Sequence, residues 1–180
     1  TVNPTVTGGF WSYTANMSLW VDGTITITAD VTDQAGNQAT QATRTLVKDT
    51  VAPTLGIDDP LMTDDIVNAV EQDSVVIRGT SNAENGETVS LTITGSTTMN
   101  AFATVTDGSW QTGEIDISAF ADGTITITAD VFDLADNPAT QATKTVTKDA
   151  NSPTLANDAT LMDDNIVNDS EKSAVVISGI

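Results

Sequence analysis

DGTITITAD occupies residues 22–30 and occurs again, letter for letter, at 122–130. Within each copy Thr alternates with an apolar residue, the period-two pattern of a strand with one wet and one buried face. The leading Asp-Gly pair is a turn signal in front of that strand. Working outward at the same offset of 100, VKDTVAPTL (47–55) maps onto TKDANSPTL (147–155), and LMTDDIVN (61–68) onto LMDDNIVN (161–168), with no insertion. Of the 80 positions that can be paired in this way, 38 are identical. That marks a tandem repeat of 100 residues, a domain with its own core rather than one layer of a solenoid.

KDTVAP and KDANSP, polar and Pro-containing, are the natural linkers. They divide the chain into the second half of one unit (1–50), a complete unit (51–150) and the first third of another (151–180), as expected of a window on a longer array. In the complete unit, period-two runs bounded by Gly, Asn, Asp and Ser predict strands at 54–57, 74–79, 88–94, 101–106, 109–115, 124–132 and 140–147. Seven short strands and no helical stripe predict an all-β, immunoglobulin-like seven-stranded β-sandwich in tandem repeats. Ile125, Ile127, Ala129 and Val131 fall on one face of the strand at 124–132 and are assigned to the core, with Trp110 and Phe120 as large fillers.

Composition narrows the function. The chain has 25 Asp and Glu against 6 Lys and Arg, a net charge of −19, and neither His nor Cys. An imidazole base, a thiolate nucleophile, a thiol or imidazole zinc site and a disulfide are therefore excluded. Such a charge repels phosphate, so no nucleic acid and no anionic membrane surface is expected as partner. No apolar run reaches the roughly 18 residues of a membrane span, so no direct membrane insertion is expected, and Thr1 opens no signal peptide. A soluble segment of something longer is the expectation. A glycosidase needs two carboxylates about 5–10 Å apart across a cleft. Asp64 and Asp65 are adjacent in sequence, and the second is Asn165 in the next copy, so no enzymatic activity is assigned.

In such a sandwich the loops divide between two poles, and the acids follow them. One pole receives Asp49, Glu84, Asn85, Glu87, Asp107, Asp133, Asp136 and Asn137, and the other Asp58, Asp59, Asp64, Asp65, Asn68, Glu71, Asp116, Asp122 and Asp149. Crowding like charges costs roughly 1 kcal/mol per close pair in water and more where partly buried, so a neutralising cation is expected. Ca2+ suits loops of this kind, because it accepts six to eight hard oxygens at about 2.3–2.6 Å from carboxylates, amides and backbone carbonyls. Two stretches are the best candidates. The loop after the sixth strand offers DQAGN (33–37) and DLADN (133–137), where Asp33 with Asn37, and Asp133 with Asp136 and Asn137, converge around a turn beside Asp49. The loop after the first strand offers Asp58, Asp64, Asn68 and Glu71, repeated in part as Asp164, Asn168 and Glu171. The competing explanation is a self-contained Asx turn for Asp33 and Asn37, and a solvated acidic turn for the other loop. Asp22 and Asp122, each before Gly, are assigned simple turn roles.

With DGTITITADVTDQAGN (22–37), VKDTVAPTL (47–55) and DDIVNAVEQDSVVIRGT (64–80) in view, the whole chain resembles the bacterial immunoglobulin-like repeats of giant RTX-type adhesins. Those are type I secreted proteins of biofilms and host attachment. The resemblance implies a long stalk on the bacterial cell surface, stiffened by calcium at interdomain junctions, with neighbouring repeats of the same chain as partners and adhesion left to terminal domains. By position it implicates Asp49, Asp133 and Asn137 at one junction and Asp149, with the loop after the first strand, at the next. One departure is that Thr7 and Gly9 stand where the central unit has Asp107 and Ser109, which removes a ligand from that turn. The absence of Cys suits an exported chain, and external calcium would favour the folded form by mass action. Two other readings stay open: identical chains assembling into an extracellular fibre or sheath, and a carbohydrate-binding module using Trp11, Trp20 or Trp110. Phe120 in place of Trp20 favours packing over sugar stacking.

Overall fold

The computed structural model describes residues 1–158, 165–170 and 172–179. Asp164 and Glu171, and with Asp164 the first half of the 161–168 copy, lie outside the described residues. The elements are β1 (Gly23–Ala29), β2 (Ala42–Lys48), β3 (Leu55–Ile57), β4 (Ile66–Val67), β5 (Arg78–Ser81), β6 (Thr88–Thr94), β7 (Thr98–Thr104), β8 (Ser109–Gln111), β9 (Gly123–Asp130) and β10 (Ala142–Lys148). β1 and β2 form an antiparallel hairpin, while β3 to β10 form two sheets in the orders β4-β10-β9-β6-β7 and β3-β5-β8. Every pairing is antiparallel except that of β4 with β10.

The alternating pattern places the core. Val89, Leu91 and Ile93 of β6 and Ile125, Ile127 and Ala129 of β9 turn inward, where they meet Ile77, Trp110 and Phe120. Val131 is buried with them, as its place in the pattern requires. Trp110 lies across β5 so closely that a Cβ on Gly79 would sit 2.5 Å from its ring and 2.0 Å from the Gly56 carbonyl. Only a residue without a side chain lets β3, β5 and the indole stack at this spacing.

The eight strands from β3 to β10 differ from the seven expected in three places. β4 falls inside the stretch read as an acidic loop: two residues are too few to show a period, and parallel pairing with Thr147 and Lys148 is a tertiary event. β7 begins three residues before the expected 101, because Gly95 donates to the Thr97 carbonyl and turns the chain back directly after β6. The strands expected at 74–79 and 109–115 are interrupted. Arg78 pairs with Gln111, but Val75 pairs with Ile115, so one extra residue on the second strand makes a bulge. At that point the Thr112 hydroxyl accepts the Ile77 N–H (3.1 Å) and the Thr112 N–H donates to the Ile77 carbonyl (2.9 Å).

The two copies of the nonamer fold alike but are buried differently. Ile127 is 2% exposed and Ile27 is 40%, because β9 is flanked by β6 as well as β10, whereas β1 has only β2 beside it among the described residues. Toward the other end, Asn157 pairs with Gly179 as Ile57 does with Gly79, and a Cβ on Gly179 would lie 2.1 Å from the Ala156 carbonyl.

Candidate functional site

Alternation of strand direction delivers the loops to opposite ends, as their hydrogen bonds show. At one pole the loop between β9 and β10 is built around Asp133. Its Oδ1 accepts the N–H groups of Ala135 (2.9 Å) and Asn137 (2.8 Å), and its Oδ2 accepts Asn137 Nδ2 (2.9 Å). Asp33 and Asn37 repeat this at 2.8–2.9 Å. The Asx turn set against metal binding at these positions is therefore formed in both copies. Donation by the Asn side chain, foremost, holds the carboxyls of Asp33 and Asp133 below the usual carboxylate range. Asp136 has φ 64° and its counterpart Gly36 has φ 90°, so a left-handed turn position explains that substitution.

Two neighbours close on this turn. Asn137 Nδ2 lies 3.4 Å from the Asp49 carbonyl, 88 residues away, which brings the linker to the loop. Glu84 Oε2 accepts the Leu134 N–H at 3.1 Å. Sequence reading placed Glu84 at this pole without singling it out, since nothing in ENGE (84–87) reveals its reach to residue 134. Asp107 is tied to Asn85: its N–H donates to Asn85 Oδ1 (2.8 Å), and its Oδ1 accepts Asn85 Nδ2 (3.3 Å).

At the opposite pole the predicted residues serve separate turns. Asp64 Oδ1 accepts the Ile66 N–H (3.0 Å), while Asn68 and Glu71 bond to each other's backbone, Glu71 Oε2 taking the Asn68 N–H at 3.1 Å. Asp58 and Glu71 line one cleft of about 390 Å³, and Arg78 lines it too, so a cation already faces that space. Lys144, on β10, bonds to Asp59 and to Asp65 (2.7 Å). Asp149 donates its N–H to the Val67 carbonyl (3.0 Å), which sets it next to Asn68. Among the described residues no three acidic side chains converge as a metal cluster, so a cation at either pole must draw on carbonyl and amide oxygens as well.

Asp22 and Asp122 do more than turn the chain. Asp22 accepts from Lys48 Nζ (2.5 Å) and the Thr50 N–H (3.0 Å), and Asp122 from Lys148 Nζ (3.2 Å) and the Ala150 N–H (3.1 Å). The register of β1 with β2, and of β9 with β10, puts each Asp opposite the start of a linker, and register cannot be read from composition. Trp110 is buried, and its Nε1 donates to the Thr80 carbonyl at 3.3 Å, so it offers no sugar platform.

These sheets and poles define an immunoglobulin-like β-sandwich with acidic ends. The family model of the bacterial Ig-like domain (group 3) matches residues 9–109, more than half of the chain, and the chain belongs to that family. The ends of the match are equivalent positions one repeat apart, so it covers a full period, cut beside β8 rather than at a linker. Among solved structures, the tetra-tandem repeat in the extending region of a large adhesion protein is similar over 98% of this chain, with 29% identity and a TM-score of 0.52. The chain spans 43% of that structure's length. A 1.5-MDa bacterial ice-binding adhesin involved in host cell surface retention matches 88% of this chain and 52% of its own, with 27% identity and a TM-score of 0.43. A bacterial immunoglobulin-like domain from the M. primoryensis ice-binding adhesin matches 56% of this chain and all of its own, with 25% identity and a TM-score of 0.40. No curated protein matches the chain. Among the described residues no helix is long and apolar enough to cross a membrane.

Proposed function

We propose that the chain is a length of the extending stalk of a large bacterial adhesin, a non-enzymatic spacer on the cell surface. Its units are 51–150, the second half of a preceding repeat at 1–50 and the start of a following one at 151–180. The likeness to the extending-region tandem repeat supports this reading. Calcium at the junctions is the second part of the proposal. The observation that carries it is the meeting of Asn137 with the Asp49 carbonyl, which joins one unit's linker to the next unit's loop. Asp133 Oδ2, the Asp49 carbonyl and the Glu84 carboxylate are hard oxygens of the kind Ca2+ takes. Asp133 Oδ2 accepts one hydrogen bond and keeps a lone pair, whereas Oδ1 already accepts two N–H groups, and Asn137 would join them by turning its amide oxygen inward in place of Nδ2. When bound, the ion would supply positive charge and hold the linker against the loop. Asp149 beside Asn68 occupies the matching place at the next junction.

The test is thermal unfolding and small-angle scattering of the chain in millimolar calcium and in EGTA. Binding only to the folded form is worth about 2.7 kcal/mol at a hundredfold excess over Kd, so a clear rise in Tm and a narrower distribution of lengths are expected. Equal Tm and equal flexibility in EGTA would overturn the calcium reading. The fibre reading has one observation behind it: β7, TMNAFAT, is a seven-residue edge strand without a charge and with Phe102 exposed. Sedimentation as a monomer at high concentration excludes that reading, and filaments favour it.

A further inference from the structure

We propose that Asp22 and Asp122 are a metal-independent latch that fixes the direction in which the chain leaves each unit. The proposal rests on reading the segments after Lys48 and Lys148 as linkers, and it concerns the pole opposite the Asp133 turn. In register, Gly23 pairs with Lys48 and Gly123 with Lys148, so each Asp lies one step beyond the last rung, facing the first linker residues. Gly23 and Gly123 have φ 132° and 133°, a conformation other residues rarely adopt, and a Cβ there would touch nothing. Glycine is thus required for the backbone that aims the Asp, not for space.

Each carboxylate then binds one ammonium and one linker N–H, and takes a third donor from whatever side chain follows. Asp22 adds the Thr50 hydroxyl (2.9 Å), and Asp122 adds Asn151 Nδ2 (2.5 Å). The linker residues have diverged between the copies, yet the bond to the backbone of residue 50 or 150 persists. In a chain with 6 cations, two are held in these pairs. Lys148 has only 4% of its side chain exposed, so Asp122 is what makes its burial tolerable. Asp49, between Lys48 and Thr50, presents its carbonyl to Asn137 of the following unit. The latch therefore sets where that carbonyl points before any ion arrives.

The experiment is amide hydrogen exchange and 15N relaxation on the full 180-residue chain in EGTA, for the native sequence, Asp122→Ala and Lys148→Met. In the native chain the Ala150 amide is expected to be protected, with order parameters at 149–151 near ~0.85 rather than below ~0.6. Asp122→Ala should speed Ala150 exchange by at least roughly tenfold. Lys148→Met, which keeps the packing of the side-chain stem, should leave much of that protection because the Asp122 to Ala150 bond survives. An unprotected Ala150 in EGTA, or protection that appears only with calcium, overturns the latch. Either result leaves the calcium reading standing, since that is judged on the native chain's Tm with and without the ion.

Discussion

Replacing Thr112 with Val removes one acceptor from the core and almost nothing else. The side chains are near in volume, so no cavity follows, and both Thr112 and its partner Ile77 are buried. The Ile77 N–H faces the Thr112 hydroxyl at the bulge, where the ladder between β5 and β8 has ended, and among the described contacts no carbonyl stands ready to replace it. A buried N–H left without a partner costs about 1–3 kcal/mol. At about 4–8 °C per kcal/mol for a domain of this size, Tm should fall by roughly 4–24 °C. Thr112→Ser keeps the acceptor and loses one methyl, worth about 0.8 kcal/mol, so the serine variant should be the more stable of the two. Urea and thermal unfolding followed by far-UV circular dichroism give the comparison. A valine variant as stable as the native chain, or more stable than the serine variant, would refute the role assigned to this hydroxyl.

Gly79→Ala should be among the most damaging single-atom additions, above about 3 kcal/mol, since its Cβ would meet the Gly56 carbonyl at 2.0 Å; urea unfolding checks it. Ile127→Ala should cost about 2–5 kcal/mol and Ile27→Ala below about 1 kcal/mol, although the residues occupy the same place in identical nonamers; equal losses by calorimetry would contradict the burial difference. The Asp65 carboxyl is held below its usual range, first by the hydrogen bond from Lys144, and Lys144 is raised chiefly by Asp59. The Asp65 contribution is thus full above the unfolded carboxylate pKa and is lost as pH falls through the lower folded value. The Lys144 contribution is full below the unfolded lysine pKa and fades as pH rises through the higher folded one. Urea midpoints should therefore decline on acidification below about pH 4, and less steeply in Lys144→Met.

What the sequence shows and what it hides divide along physical lines. Strands with four or more alternating residues were legible: β6 lies at 88–94 as the pattern predicts, and β9 buries Ile125, Ile127 and Ala129 on the predicted face. Elements made by tertiary pairing were not. β4 is two residues long and exists because β10 offers it an edge, and the bulge at Thr112 follows from mismatched spacing between distant strands. The same holds at the poles. Asp133 with Asn137 is a local spacing of four and could be found, whereas Glu84 reaching Leu134, or Asp122 reaching Ala150, depends on which strands are neighbours.

The repeated nonamer carries the argument from fold to function one step further. Thr and Ile alternation decides that DGTITITAD is a strand, but Ile27 and Ile127 are buried to different extents because, among the described residues, β9 has a second neighbour and β1 does not. The latch at the unit's end belongs to the strand pair: Asp22 grips Lys48 and Thr50 beside β1 and β2 as Asp122 grips Lys148 and Ala150 beside β9 and β10. The exit of the chain thus follows local register, which is the same in both copies. Short-range bonds alone can in this way carry a direction from one module to the next, and under the calcium proposal an ion at the facing loop would meet a linker carbonyl already in place.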